Sequence, residues 1–320
     1  MEGTYTALPG GILAAGQIYL KFAPMRMRFT RQAVAVFCIS LAAALTGCVR
    51  TYSVPKVRSA DVLLSTSLDQ LISQTNARYE SIQTLNATVE IQATVGGGRK
   101  GQVTEYPAFS GYIFVRKPED ILVILKVPVL SSIALEMESN GKTWKLWSPP
   151  KSLAMEGTSE VTQPSKNPLE NLRPAVFFDS LLVRSVLPTE IVSPTSDIRD
   201  IENPKKKHDI VEEPDYDLEV LSQPNGQIVH TLRVVHISRE NLLPYQQDMY
   251  NDQGQVVTRA FYSEYQKFGD ISFPTHILIK RPLDELSLSL VISKLTFNQK
   301  LDDDQFEVSV PAGVPIKKIN

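Results

Sequence analysis

Residues 109–155 read FSGYIFVRKPEDILVILKVPVLSSIALEMESNGKTWKLWSPPKSLAM. Short apolar-rich runs alternate here with turn residues, among them Asn140 and Gly141, a pair that favours a tight β-hairpin. Strands this close in sequence pair antiparallel, because a parallel crossover needs a dozen or more residues. The stretch therefore predicts consecutive antiparallel strands at 109–116, 121–127, 133–139, 143–147 and 152–155.

The pattern extends in both directions from this stretch. Ser67 and Gln70 have the spacing of a helix capping box, and apolar residues follow at helical spacing to Ser81. A second helix is expected over 167–183, and residues 194–216 are expected to form a polar loop. The other predicted strands are 85–95, 217–221, 228–237, 244–250, 256–265, 271–280 and 286–295. The fold class predicted is mainly β, one large antiparallel sheet with two inserted helices.

A secretory signal precedes this domain. The basic, acid-free residues 25–31 are followed by an apolar run of about a dozen residues, shorter than the ~20 that cross a bilayer as a helix. Leu45, Thr46, Gly47 and Cys48 then resemble the bacterial lipobox, in which the cysteine is acylated and becomes the mature N-terminus. The alternative is that Cys48 is an ordinary buried cysteine.

The predicted organisation follows from this signal. Residues 1–47 form a signal peptide with extra upstream residues, since translation is expected to begin at Met25 or Met27. Residues 48–66 form a lipidated tether, and residues 67–320 form the folded domain. Val49, in the position after the cysteine, favours the outer membrane over inner-membrane retention.

Composition excludes several classes of function. The formal net charge is −2, and the signal removes more basic than acidic residues, so the mature chain is a poor candidate for binding nucleic acid. Cys38 leaves with the signal, so no disulfide is expected. The sequence contains no HExxH, P-loop or GxSxG motif, and His230 and His236 are too far apart along a strand to share a metal ion. We therefore expect neither an enzyme, a cofactor nor a metal site.

The order of motifs resembles the LolA/LolB-type lipoprotein carriers. The resemblance rests on "FVRKPEDILVILKVP", "SNGKTWKLWSPPKSLAMEG", "LLPYQQDMYNDQGQVVTRAFYSEYQKFGDISFPTHILIKRP" and "LDDDQFEVSVPAG", and covers about residues 68–313. It implies an unclosed antiparallel β half-barrel wrapped around helical lids, with an apolar cavity for acyl chains. The residues expected to line that cavity are Ile113, Val115, Ile124, Leu135, Trp144, Leu288 and Leu290.

The anchored, LolB-like branch is the better match, because Cys48 tethers the chain. Val129 and Leu130 occupy the loop that in LolB-like proteins projects a hydrophobic residue towards the membrane. The alternative, that these side chains fold back and pack, is equally open from sequence. This chain departs from the soluble carriers at one position. Those carriers have an arginine immediately before the proline that follows the second strand, whereas this chain has Lys117 between Arg116 and Pro118. The resemblance therefore does not extend to a role for that arginine in gating the lid.

The function predicted is that of an outer-membrane-anchored, periplasm-facing lipoprotein that binds acyl chains and helps to receive or place lipoproteins or lipids. Its expected partners are the membrane, the acylated cargo and a periplasmic carrier protein. The alternative is an envelope sensor or scaffold that binds lipid or a protein partner as a signal.

Overall fold

Strands dominate the part of the chain that the structure describes. The computed structural model describes residues 57–59, 63–99, 101–159, 171–202, 210–223, 226 and 228–319. The helices among them are α1 (Leu68–Glu80) and α2 (Pro174–Leu181). The strands are β1 (Val57–Ser59), β2 (Thr84–Gly97), β3 (Gln102–Glu105), β4 (Phe109–Arg116), β5 (Asp120–Lys126), β6 (Ile133–Ser139), β7 (Thr143–Ser148), β8 (Leu153–Thr158), β9 (Ile191–Thr195), β10 (Ile198–Glu202), β11 (Ile210–Ser222), β12 (His230–Ser238), β13 (Pro244–Tyr250), β14 (Val256–Phe268), β15 (Ile271–Arg281), β16 (Leu286–Phe297) and β17 (Ile316–Ile319).

Two antiparallel meanders form one unclosed sheet. The first runs from β2 through β4 to β8, and the second runs from β11 to β16. They join where β16 pairs antiparallel with β2, from Leu286 opposite Val95 to Phe297 opposite Leu85. The C-terminal strand β17 pairs parallel with β8. The predicted fold class, an open antiparallel sheet with few helices, is confirmed.

Most predicted elements are present with similar limits. The strands predicted at 109–116, 133–139 and 244–250 have those limits in the structure. The capping box also forms: the Gln70 backbone N–H donates to Ser67 Oγ at 3.3 Å, and the Ser67 N–H donates to Gln70 Oε1 at 3.1 Å. Gly141 has a φ of +84°, the left-handed conformation that the predicted hairpin turn requires.

The predicted loop at 194–216 is wrong for much of its length. It contains the last residues of β9, all of β10 and the beginning of β11. The polar pattern misleads because the carboxylates here are buried with partners: Glu213 is 2% exposed and bonds Arg199 and Ser238. Residues 203–209, with the basic run, lie outside the described residues.

The other differences are at short elements. The described part of the second helix covers only Pro174–Leu181, and the proline occupies its first turn, where a missing N–H costs no hydrogen bond. Strands β3 and β17 were not predicted, because each has only four residues, most of them exposed, which carry too little apolar periodicity. Val57–Ser59, expected within the tether, pairs parallel with β11.

The main hydrophobic core lies on one face of the sheet and holds α2 against both meanders. Phe177 and Phe178 of α2 are at most 2% exposed and pack among inward residues of β2, β4, β5, β15 and β16. A smaller cluster packs Leu71 of α1 against Leu218, Val235 and Ile237. Both helices therefore cover parts of the sheet.

The opposite face of the first meander is also covered. Leu122 and Ile124 of β5 pack with Phe306 and Val308, which belong to the segment after β16. Phe306 ends a short 3₁₀ helix, Asp303–Phe306, whose N-cap is Asp302. The run ILVILKV is apolar on both faces of the sheet for this reason: one face meets the main core, and the other is covered by the C-terminal segment.

Candidate functional site

An apolar cavity of about 340 Å³ lies between the first meander and α2. Val123 and Leu125 of β5, Met137 of β6 and Met155 of β8 form its floor, and Phe177 of α2 faces them. The other residues around it are Ile91, Ala93, Tyr106, Phe109, Val127, Ala134, Leu135, Leu146, Ser148, Pro150, Lys151, Leu153, Leu172 and Leu288. The size is within the ~300–1,000 Å³ usual for small-molecule sites.

Polar groups are few in this cavity. The Ser148 hydroxyl donates to the Ala134 carbonyl at 2.8 Å, so it is already satisfied. Lys151 is exposed on the short 3₁₀ turn Pro149–Lys151. A hollow of this composition favours a hydrocarbon over a polar ligand, because an unpaired polar group buried there loses its hydrogen bonds to water.

The exposed loop between β5 and β6 begins and ends beside the same cavity. Val127 and Ala134, which flank it, are both lining residues. Backbone bonds close the loop, with the Val127 N–H donating to the Ser132 carbonyl at 2.8 Å. Val129 at the tip is 100% exposed and Leu130 is 75% exposed, so the side chains project and do not fold back. Val129 also has a φ of +69°, which a β-branched residue rarely adopts.

The structure places the seven predicted lining residues in four different surroundings. Leu135 and Leu288 line the apolar cavity. Ile113, Val115 and Leu290 are fully buried in the main core. Ile124 points to the opposite face of β5 and contacts the C-terminal segment, since alternate strand residues face opposite sides. Trp144 is buried beneath Arg173, whose guanidinium lies 4.6 Å from the ring centroid, and lines a separate, mixed-charge cavity.

Sequence reasoning missed most of the cavity wall. Met137, Leu146, Met155 and Phe177 were not among the predicted residues, although all four line it. The pairing of neighbouring strands could have identified three of them. Met137 is opposite Leu146, which is opposite Met155, so one residue known to face the cavity identifies its neighbours across the sheet.

Lys117, which precedes a proline as the arginine of the soluble carriers does, contacts the end of α1. Its Nζ donates to the Tyr79 carbonyl at 2.5 Å and lies 3.5 Å from the centroid of the Tyr79 ring. Burial lowers the pKa of Lys117. Arg116 instead pairs with Asp120 and Asp303. The lysine thus holds the helix that precedes β2.

The other side of α2 faces a polar groove of about 990 Å³. Arg233 bonds Glu190 there at 2.9 Å, and Arg281 bonds Asp284 at 2.7 Å. Burial raises the pKa of Asp179, opposed by Arg184. Helix α2 and the residues before it therefore separate an apolar hollow from a polar one.

One group of potential metal ligands occurs among the described residues. Donor atoms of Asp215, Asp217 and His236 lie within 4.8 Å of one another. His236 Nδ1 is 2.5 Å from Asp217 Oδ1, and Asp215 accepts hydrogen bonds from the Tyr245 hydroxyl and the Asp197 N–H. These bonds account for the cluster without an ion.

The predicted lipobox, Leu45, Thr46 and Gly47, and the predicted acylation site Cys48 lie outside the described residues. Among the residues that the structure does describe, none of the helices combines the length and the apolar character needed to span a membrane.

Fold and cavity together define a class of protein: an open antiparallel β half-barrel with an apolar hollow beneath a helix. Solved structures similar to this chain include a LolA superfamily protein from Nitrosomonas europaea (13% identity, TM-score 0.48, 76% of this chain and 99% of that one). They also include a DUF1329 family protein from Desulfovibrio piger (16%, 0.44, 74% and 95%) and a domain described as an outer membrane lipoprotein-sorting protein from Vibrio parahaemolyticus (13%, 0.44, 74% and 94%). At these identities the likeness is one of fold.

Sequence comparisons add little. A family profile described as "Uncharacterized protein" matches residues 195–310. No curated protein matches the chain. One of the similar structures is described as a member of the LolA superfamily.

Proposed function

We propose that this protein is a lipid-anchored envelope protein that binds acyl chains in the cavity beneath α2 and transfers them at a membrane, without catalysing a reaction. The observation that carries the proposal is the cavity itself, whose wall is almost entirely hydrocarbon. Each CH₂ group moved from water into such a site gains about 0.8 kcal/mol, which is the driving force a lipid carrier needs.

The loop at 127–132 supports transfer at a membrane. It presents Val129 and Leu130 to solvent directly beside the cavity wall. Isolated exposed apolar residues are common, but two at the tip of one closed loop form a surface that enters a bilayer readily. We propose acylation of Cys48, a periplasm-facing position on the outer membrane, and a periplasmic carrier protein as donor or acceptor, all on the sequence evidence alone.

Native mass spectrometry followed by lipid extraction tests the proposal. The mature chain 48–320 carrying Cys48→Ser, purified from the envelope fraction, is expected to carry an acylated ligand. Ala93→Phe, on an inward position of β2 opposite Leu288, fills the cavity and should abolish this ligand. Ala175→Phe adds the same volume on the side of α2 that faces the polar groove, and should retain it.

A protein that stays empty after incubation with a membrane extract contradicts the carrier function. Loss of ligand in both variants also contradicts it, provided that both variants keep the melting temperature of the parent. An empty protein that still captures a partner through the 127–132 loop is the result expected of an envelope scaffold.

A further inference from the structure

We propose that the apolar cavity takes a single acyl chain with an anionic head group, and that Lys151 contacts the head group at the cavity mouth. This rests on the proposed function, because it specifies the ligand of the same site. The ligand class is a one-chain anionic amphiphile, such as a fatty acid or a lysophospholipid.

Cavity volume sets the number of chains. A methylene group fills about the liquid volume of a water molecule, ~30 Å³. The cavity of about 340 Å³ therefore holds about eleven such groups, which is one chain of about twelve carbons. Two or three chains of membrane length need several times this space.

The wall is built in a way that resists expansion. Strand β5, which supplies Val123 and Leu125, is paired with β4 on one side and β6 on the other. Its outer face is covered by Phe306 and Val308. Phe177, which faces the floor, is 2% exposed within the main core. Widening the hollow would break a ladder or open the core, so the volume is a property of the fold.

Charge identifies the head group. Among the described residues, Lys151 is the only charged one that lines the cavity, and it is exposed on a turn whose neighbour Pro150 also lines it. Within the described ranges Lys151 has no carboxylate partner. Val127 and Ala134 also line the cavity, so lysine, cavity and exposed loop are neighbours. A carboxylate or phosphate at this point meets an ammonium group, while its chain extends into the hollow.

A chain-length series measures the capacity directly. Saturated fatty acids of 8 to 18 carbons are titrated by calorimetry, below their micellar concentrations, into the mature chain 48–320 carrying Cys48→Ser. Each added methylene should tighten binding about fourfold while the cavity fills. The gain should stop near 12 carbons. A fourfold gain that continues to 16 or 18 carbons overturns the single-chain inference.

Head-group recognition needs a second pair of variants. Lys151→Gln should weaken binding of the C12 acid about three- to fivefold and leave binding of the C12 alcohol unchanged. Lys142→Gln, an exposed lysine on the β6–β7 turn, is the matched control and should change neither. Equal loss for acid and alcohol overturns the role of Lys151.

Comparison of lipid classes separates this inference from the proposed function. A C12 lysophospholipid that binds as well as the acid assigns the recognition to phosphate and carboxylate alike, whereas binding of the acid alone assigns it to carboxylate. One-to-one binding of a two-chain phospholipid at equal affinity overturns the single-chain inference and leaves the acyl carrier function standing. Failure of every acyl compound to bind overturns both.

Discussion

Serine substitution of Val129 and Leu130 should reduce membrane partitioning of the unacylated protein about a hundredfold. Val129 is fully exposed and Leu130 three-quarters exposed, so bilayer entry removes most of their apolar surface from water. Burial of such a side chain gains about 1.5–3 kcal/mol, and the lower value for each gives about 3 kcal/mol for the pair. A difference of ~1.4 kcal/mol is tenfold in an equilibrium constant, so the single Val129→Ser variant should lose about tenfold.

Vesicle flotation with zwitterionic lipid measures this partitioning, and the mature chain 48–320 carrying Cys48→Ser lacks both the acyl anchor and the apolar signal peptide. Vesicles without net charge are used so that electrostatic attraction of lysine residues does not contribute to the measured partitioning. Val103→Ser is the control, because Val103 is 59% exposed on β3 and outside the loop. The thermal midpoints of all variants should agree, since exposed side chains contribute little to the core. A double variant that partitions within twofold of its parent refutes membrane insertion by this loop.

Three further predictions concern stability. Lys117→Met should lower the free energy of unfolding by about 1–2 kcal/mol, because it removes the cation–π contact and the hydrogen bond to Tyr79. Urea unfolding measures this, and an unchanged urea midpoint would show that the lysine does not hold α1. Ile124→Ala should cost about 2 kcal/mol through lost packing against Phe306, measured in the same way and contradicted by a change within experimental error. Burial raises the pKa of Glu138 above its usual 4.5, so the folded state keeps the carboxyl proton to higher pH than the unfolded state does. The free energy of unfolding should therefore fall as the pH rises from 4.5 through the raised pKa. Glu138→Gln should lack this fall, and parallel curves of unfolding free energy against pH for the variant and its parent would contradict the prediction.

Local sequence signals predicted the meanders because alternation and turn chemistry act within a few residues. The strand at 109–116, the turn at Gly141 and the Ser67 capping box depend only on neighbours in sequence, and all three are present. The short strand β17 depends instead on pairing with β8, more than 150 residues earlier in the chain. No local pattern in four mostly exposed residues reports such pairing.

Register decided which site residues were found. Leu135 lies at the cavity because its side chain is on the inward face of β6. Ile124 is on the outer face of β5, a strand that is apolar on both faces. A bulge in the β11–β12 ladder, between Val220 and Leu221, also places His230 and His236 on opposite faces, although their spacing predicts a shared one. A one-residue irregularity reverses such assignments, and the sequence pattern did not reveal it.

The union of β2 with β16 also has a consequence for biosynthesis. The cavity wall needs Leu288, and β2 stays an open edge until β16 has emerged and paired along it. The first meander is complete at Thr158, but it keeps an unpaired, apolar strand exposed until β16, which begins at Leu286, has been made, and other chains can join such an edge. The nascent protein is most vulnerable to aggregation in that interval, and its apolar cavity is among the last features to form.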